Sequence, residues 1–254
     1  MNYKYLAGHV QKVIRPDDGR EYDACTRHTT LESAKEALLK EIDADIYIIQ
    51  ECESEEKSQG TYDSWLPNRI WKGHNKNKGL GVFAKEQFKL EQLYWEDSNL
   101  ELFLPLKIND DFQLLAVWTK YANSPTFQYI GQLWKYLQLH NTAIATKATI
   151  ICGDLNSNAQ WDVWDRWWNH SDVVNQLKTM NIHSLYHELT NEEQGKEKNS
   201  TFFMNRNQEK NYHIDYLFSH TSLFSGRNSH FKIFDKDEWL QYSDHLPILF
   251  DLNT

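Results

Sequence analysis

The chain has 254 residues, of which 40% are apolar and 14% aromatic, with only 10 Gly and 5 Pro and a formal charge of −9. That composition provides a sizeable core and excludes disordered, collagen-like and low-complexity organisation; with no apolar run near the roughly 18–20 residues that span a bilayer, no integral membrane association is expected. The acidic balance gives little long-range attraction to nucleic acid and excludes a purely electrostatic DNA-coating protein, although bound divalent cations can reverse the sign locally.

The N-terminal MNYKYLAGHVQKVIRP has no apolar stretch like a signal-peptide core. Thr29 and Glu32 have capping-box spacing, and Leu31, Ala34, Leu38 and Ile42 continue as a helical stripe. Asp43-Ala44-Asp45 ends that helix, and Ile46–Ile49 reads as a buried strand delivering Gln50 and Glu51 at its end. Lys72, Lys76 and Lys78 fall in the segment KGHNKNKG, read as a solvated loop before a strand at Gly79–Phe83. Gly79-Leu80-Gly81 lacks the third glycine of a dinucleotide fingerprint. A third strand covers Leu114–Trp118, and Phe127, Ile130, Trp134 and Leu137 mark one helix face after a Ser-Pro turn.

Thr149–Cys152 is a short strand running into Gly153-Asp154-Leu155-Asn156. Trp161, Trp164, Trp167 and Trp168 follow closely; positions 161, 164 and 168 fit one helical face, which favours packing over substrate stacking. Val173, Leu177 and Met180 mark another helix. His183 and His187, with Glu188 adjacent, have the i,i+4 spacing of a zinc pair but no evident third ligand. Asn191–Ser200 is a polar loop, and Tyr212–Ser219 and Leu246–Leu252 are two closing strands. Alternating strands and helices, without repeats or a long linker, predict an α/β (α+β) fold in a single domain over residues 1–254. Cys25, Cys52 and Cys152 are dispersed and odd in number, so a disulfide framework is not expected and a cytoplasmic protein is.

The polar residues bordering these strands form a pattern. Glu51 follows IYIIQ, Asp154 and Asn156 follow TIICG, Asp215 lies within HIDYLF, and Asp244-His245 precede LPILF. Strand ends form the usual ligand crevice of an α/β sheet, and hard oxygen donors of this kind suit Mg²⁺. A histidine among carboxylates adds a charged or proton-transferring group. Singly, each is an ordinary turn residue. Together, each joined to an apolar strand, they are far more specific.

In DADIYIIQE, GDLN, HIDYLFS and SDHLPI, spread over about residues 31–252, the sequence resembles the endonuclease/exonuclease/phosphatase superfamily, the fold of pancreatic deoxyribonuclease and the exonuclease III-type apurinic endonucleases. The resemblance implies a four-layer sandwich, two mixed β-sheets packed together and flanked by helices, and metal-dependent phosphoester hydrolysis. It implies Glu51 as the main Mg²⁺ ligand with Asp244 near the metal, and Mn²⁺ able to substitute. Asp154 would orient or deprotonate the attacking water, with Asn156 beside it at the scissile phosphate. His245 would contact the phosphate, held in one tautomer by Asp215. Tyr121, after a strand in Thr119-Lys120-Tyr121, resembles a phosphate-contacting tyrosine of the apurinic-endonuclease branch. The second catalytic histidine of the deoxyribonuclease branch is absent, since its strand ends in Trp118-Thr119.

Residues 1–28 depart from the family. The expected strand ending in a metal-binding Asn is sought at Asp23–His28, which has no Asn or carboxylate after Ala24, and Asn2 lies far from that strand end. The expected activity is a nuclease on nucleic-acid phosphodiesters, acting as a monomer. The alternatives are a phosphatase or phosphodiesterase for small molecules or phospholipid headgroups, and a pseudoenzyme binding module with a weakened metal site.

Overall fold

A computed structural model describes residues 2–9, 31–58 and 64–253. The chain begins with β1 (Asn2–His9), α1 (Leu31–Ile42), β2 (Ile46–Cys52) and α2 (Glu55–Ser58). The hairpin of β3 (Asn68–Asn75) and β4 (Lys78–Ala84) follows, then β5 (Leu90–Gln92), β6 (Phe103–Ile108), β7 (Phe112–Trp118) and α3 (Ile130–Ala145). Next come β8 (Thr149–Asp154), α4 (His170–Thr179), β9 (Ile182–Ser184) and α5 (Leu185–Thr190). The chain closes with β10 (Phe202–Phe203), β11 (Asn211–Tyr212), β12 (Asp215–His220), β13 (His230–Ile233), α6 (Lys236–Trp239) and β14 (Ile248–Asn253).

These strands form two six-stranded sheets, ordered β13-β14-β1-β2-β4-β3 and β5-β6-β7-β8-β12-β9, plus the small β10-β11 ribbon. Both large sheets are mixed: β1 with β2 and β7 with β8 are parallel, and the other pairs are antiparallel. Strand side chains alternate faces, and that alternation builds the layers. Ile46 and Ile48 of β2, Leu80 and Val82 of β4, Leu114 and Ala116 of β7, and Ile150 and Cys152 of β8 meet in one core between the sheets. The intervening Tyr47 and Ile49 pack outward with Leu39 of α1 and Trp239 of α6. Leu115, Val117 and Ile151 pack outward with Leu133 and Leu137 of α3 and Val173 and Leu177 of α4. Helix, sheet, sheet, helix: the fold is the expected four-layer sandwich. Both faces of the central strands are covered, hence their continuous apolar runs.

Several local expectations need correction. The first strand of the sandwich is β1, not Asp23–His28; it pairs with β14 and runs parallel to β2, so His9 stands opposite Gln50. Asp23–His28, Cys25 and the Thr29 cap lie outside the described residues. Phe127 precedes α3, because Ser124 Oγ accepts its N–H at 3.0 Å and Tyr129 turns at φ 50°. Met180 lies just past α4, which stops where Asn181 turns at φ 57°. Tyr212–Ser219 is two strands, because Thr201 Oγ1 accepts the N–H groups of Ile214 and Asp215 at 3.0 and 3.1 Å where the backbone changes partners.

The tryptophans at 161, 164 and 168 share no helix. After a 3-10 turn at Ala159–Trp161 the chain loops around Asn169, whose Oδ1 accepts from Val163 N and Arg166 Nε and whose Nδ2 donates to Val163 O. The segment KGHNKNKG is the end of the β3–β4 hairpin, solvated from His74 to Lys78 around a turn at Lys76-Asn77, with Lys72 bonded to Asp97 and Lys78 to Glu51. His183 stands on β9 and His187 on α5, each paired to a glutamate, Glu188 and Glu197 respectively. No helix among the described residues is long and apolar enough to cross a membrane.

Candidate active site

Asp154 ends β8 and Asp215 begins β12, and the antiparallel register sets them directly opposite one another. Two adjacent buried carboxylates repel unless positive charge or donors are supplied. Asn156 supplies two donors to Asp154: its backbone N–H to Oδ1 and its Nδ2 to Oδ2, both at 2.7 Å. This fold-back requires φ 43° at Asn156, a backbone state that Asn tolerates better than most residues. Asn156 Nδ2 also donates to Thr119 O at 2.9 Å, which ties the pair to the end of β7.

Asp215 Oδ2 lies 2.9 Å from His245 Nδ1, and both side chains are buried. This contact fixes which ring nitrogen faces the carboxylate. His245 is delivered by the segment before β14: its N–H donates to Ser243 Oγ, Asp244 O accepts from Phe203 N, and Leu246 N donates to Thr201 O. Asp154, Asp215 and His245 each offer a ligand-type atom within 4.8 Å of the others. Four of the seven sequence candidates therefore sit together: Asp154, Asn156, Asp215 and His245.

Glu51 arrives from the other sheet. It is the extra residue of a bulge in β2, between Gln50 and Cys52, with φ 55°. Bulges re-aim side chains, and a non-glycine residue held there stores strain. The ends of β2 and β8 meet closely: a Cβ built on Gly153, at φ 143°, would lie 1.9 Å from Val117 O and 2.9 Å from Gln50 Nε2. Only glycine fits before Asp154. Glu51 is therefore anchored next to a residue that touches the strand of Asp154, and its Oε2 forms an ion pair with Lys78 Nζ at 2.7 Å. Asp244 lies beside His245 in the chain but outside the three-residue cluster. Tyr121 is 65% exposed, two residues beyond Thr119; its ring faces Tyr129, and its hydroxyl bonds none of the clustered residues.

Oxygen chemistry at this end of the sandwich fits a divalent cation. Asp215 Oδ1 and Asp244 Oδ1 are buried without hydrogen-bond partners among the described residues, as are both amide atoms of Gln50. Such orphaned groups are costly and call for a ligand. Cys152, beneath the site, is no nucleophile: burial, then the charge of Asp215, pushes its thiol far above the ordinary range.

Behind the cluster lies a network that sequence reasoning missed. Asn158 Nδ2 donates to Glu197 Oε2, His213 O and the Tyr216 hydroxyl at 3.0, 2.9 and 3.1 Å. Glu197 Oε1 lies 3.0 Å from His187 Nε2 and accepts Gly195 N–H. Burial opposes ionisation of Glu197, yet these bonds hold its carboxyl at about 2. Burial also drives His170 down to about 4, against a raising contact from Gln194. The network fastens the polar loop 191–200 to the strand bearing Asp215. Glu197, one of three glutamates in NEEQGKEKNS, carries no signal of that role, and neither does Thr201, which anchors the Asp215 backbone.

The profile of the Endonuclease/Exonuclease/phosphatase family matches residues 36–245. No curated protein sequence matches the chain. Among solved structures, the chain is similar to the 3′ phosphatase NExo from Neisseria bound to a product DNA hairpin, with 13% identity, TM-score 0.69, and 99% and 100% of the two chains covered. It is similar to an AP endonuclease from Archaeoglobus fulgidus, with 17% identity, TM-score 0.65, and 99% and 100% covered. It is also similar to D. rerio TDP2 complexed with a single-strand DNA product, with 13% identity, TM-score 0.61, and 100% and 99% covered. At these identities the likeness is one of fold.

Proposed function

The chain belongs to the Endonuclease/Exonuclease/phosphatase family, and on that premise we propose that it is a Mg²⁺-dependent nuclease, one cytoplasmic domain over residues 1–254, hydrolysing nucleic-acid phosphodiesters. The observation that carries this reading is the buried Asp154–Asp215–His245 cluster, with Asn156 folded back onto Asp154. Asp154 orients the attacking water and takes its proton. Asn156 holds that carboxylate in place beside the scissile phosphate, its donors spent on Asp154 and Thr119. His245 donates to a phosphoryl oxygen, with Asp215 retaining its Nδ1 side. Tyr121 contacts the phosphate from the rim.

Glu51 and Asp244 would hold the metal ion, which when bound polarises a phosphoryl oxygen and offsets charge on the leaving oxygen. Lys78 pairs with Glu51, so a cation held by that carboxylate would compete with an ammonium. Buried Cys52, its thiol pushed up to about 12 by burial, and Cys152 are both free, which supports a reducing compartment.

Hydrolysis of DNA, RNA, inositol phosphates and sphingomyelin, each measured with Mg²⁺, Mn²⁺ or EDTA, tests the proposal. The expected result is nucleic-acid cleavage lost in EDTA and restored by Mg²⁺ or Mn²⁺. Cleavage of inositol phosphates or sphingomyelin alone would replace the nuclease with a small-phosphoester hydrolase, the reading that a charge of −9 favours. Metal and strand binding with no hydrolysis of any substrate would leave a binding module.

A further inference from the structure

Residues 161–168 expose more aromatic surface than packing accounts for. Trp164 is 96% exposed, Trp167 66% and Trp161 41%, whereas Trp168 packs against Phe127 and the α3–α4 core. Exposed aromatic clusters of this kind mark binding surfaces. The segment is also fixed in place. Asn169 ties down Val163 and Arg166, Asp162 accepts the first N–H groups of α4 from His170 and Ser171, and Arg166 lies 4.4 Å over Trp168 while donating to Trp161 O. A rigid aromatic surface loses little entropy on binding.

Its position relates it to the site. The Phe202 ring lies 4.5 Å from His245, Tyr212 lies 6.4 Å from Phe202, and Trp161 lies 5.0 Å from Tyr212. A nearly continuous series of rings thus runs outward from His245 to Trp161, the start of the exposed segment. Cations Arg206 and Lys210 lie in the exposed turn joining β10 to β11, the ribbon that carries Phe202 and Tyr212. Asp165 on the exposed segment offsets part of the charge of Arg166.

Resting on the nuclease reading, we propose that Trp161, Trp164 and Trp167 form a stacking platform for unpaired bases of a single-stranded nucleic acid whose scissile phosphate lies at His245. Flat rings on a fixed loop receive bases of any sequence, because every base has a π-face. Since stacking supplies the affinity and the chain is acidic, binding depends only shallowly on salt.

The test compares an oligothymidylate with an abasic strand of equal length, each measured by fluorescence anisotropy in EDTA. The wild type is expected to prefer the oligothymidylate. Trp164→Ala combined with Trp167→Ala should weaken that binding roughly tenfold or more, about the effect of losing one stacked base, and narrow the preference. Trp164→Phe, which keeps a ring, should retain most of it, and Tyr94→Ala, an exposed ring following the far edge strand β5, should change nothing. Circular dichroism checks that the variants fold. Equal wild-type affinity for the two strands, or alanine variants that bind as wild type does, would overturn the platform; a surface serving another protein gives that same result. Strand preference without hydrolysis leaves the platform standing and removes the nuclease. Hydrolysis that ignores the tryptophans does the reverse.

Discussion

Asp154 and Glu51 are both acidic residues at strand ends, yet they are held in opposite ways. Asp154 is buried, with both oxygens engaged by a neighbour two residues on, and it stands opposite a second carboxylate that is itself paired with a histidine. Glu51 sits on a strained bulge and pairs with the half-exposed ammonium of Lys78. The Asp154 half is assembled by backbone register and short-range hydrogen bonds. The Glu51 half is poised by charge, and its partner is exchangeable. In the proposed mechanism preorganisation falls where a proton moves and a phosphate is gripped, and exchangeability where an ion comes and goes.

The largest expected effect lies in the preorganised half. Asp154→Asn should lower kcat by roughly 10²–10⁴ while leaving the fold intact, because an amide cannot take the proton of water and would set a donor against Asn156 Nδ2. Single-turnover hydrolysis of a cleaved oligonucleotide reads this directly, and near-normal kcat would remove Asp154 from its role. His245→Ala should fall in a similar but smaller range, on the order of 10²–10³, by removing a donor from the phosphate. If its loss appears only in KM, His245 binds substrate without stabilising the transition state.

Glu51→Gln and Lys78→Met sharpen the contrast from the other side. The first removes the charge that attracts the ion and should raise the apparent metal Kd about tenfold or more in calorimetry. The second removes the competing ammonium and should lower that Kd a few-fold, in keeping with the roughly 0–1 kcal/mol of a partly exposed pair. Were Lys78→Met to weaken metal binding instead, Lys78 would be part of the ion's support and the exchange picture would fail.

The smallest effect concerns stability. Burial lowers His170 from 6.5 to about 4, so between those values the unfolded chain binds a proton that the folded one refuses, and stability falls as pH drops. Glu197, held at about 2, adds a loss in the same direction below about 4.5. The melting temperature should therefore decline from pH 7 to pH 4.5, and His170→Gln should flatten that slope. Parallel slopes for the two proteins would show that His170 protonation is not what the fold resists.

Much of this architecture is legible in the sequence, for a physical reason. Strands buried on both faces read as unbroken apolar runs, and the acidic residues that end them stand out by contrast, as Asp154 after TIICG does. Asp215 and His245 were readable because each abuts such a run. What was not legible depends on partners distant in sequence. Thr201 matters only through the backbone of Ile214 and Asp215, and Asn158 only through Glu197, His213 and Tyr216. The helical reading of Trp161, Trp164 and Trp168 failed because periodicity carries no information about Asn169 gripping the loop. The first strand lies earlier in the chain than Asp23–His28, because β1 is defined by its pairing with β2 and β14, partners that local sequence does not reveal.

Glu51 and Asp154 come from different sheets, joined at the contact of Gln50 with Gly153. The spacing between these two carboxylates is thus a dimension of the sandwich itself, set by Ile48, Val82, Ala116 and Cys152 in the core between the sheets. Close-packed interiors transmit small volume changes rather than absorb them. The apolar filling therefore works as a spacer gauge for the chemistry. A methylene added or removed well below the cleft would detune two charged groups it never touches, so catalytic competence should fail earlier than folding as that filling is altered.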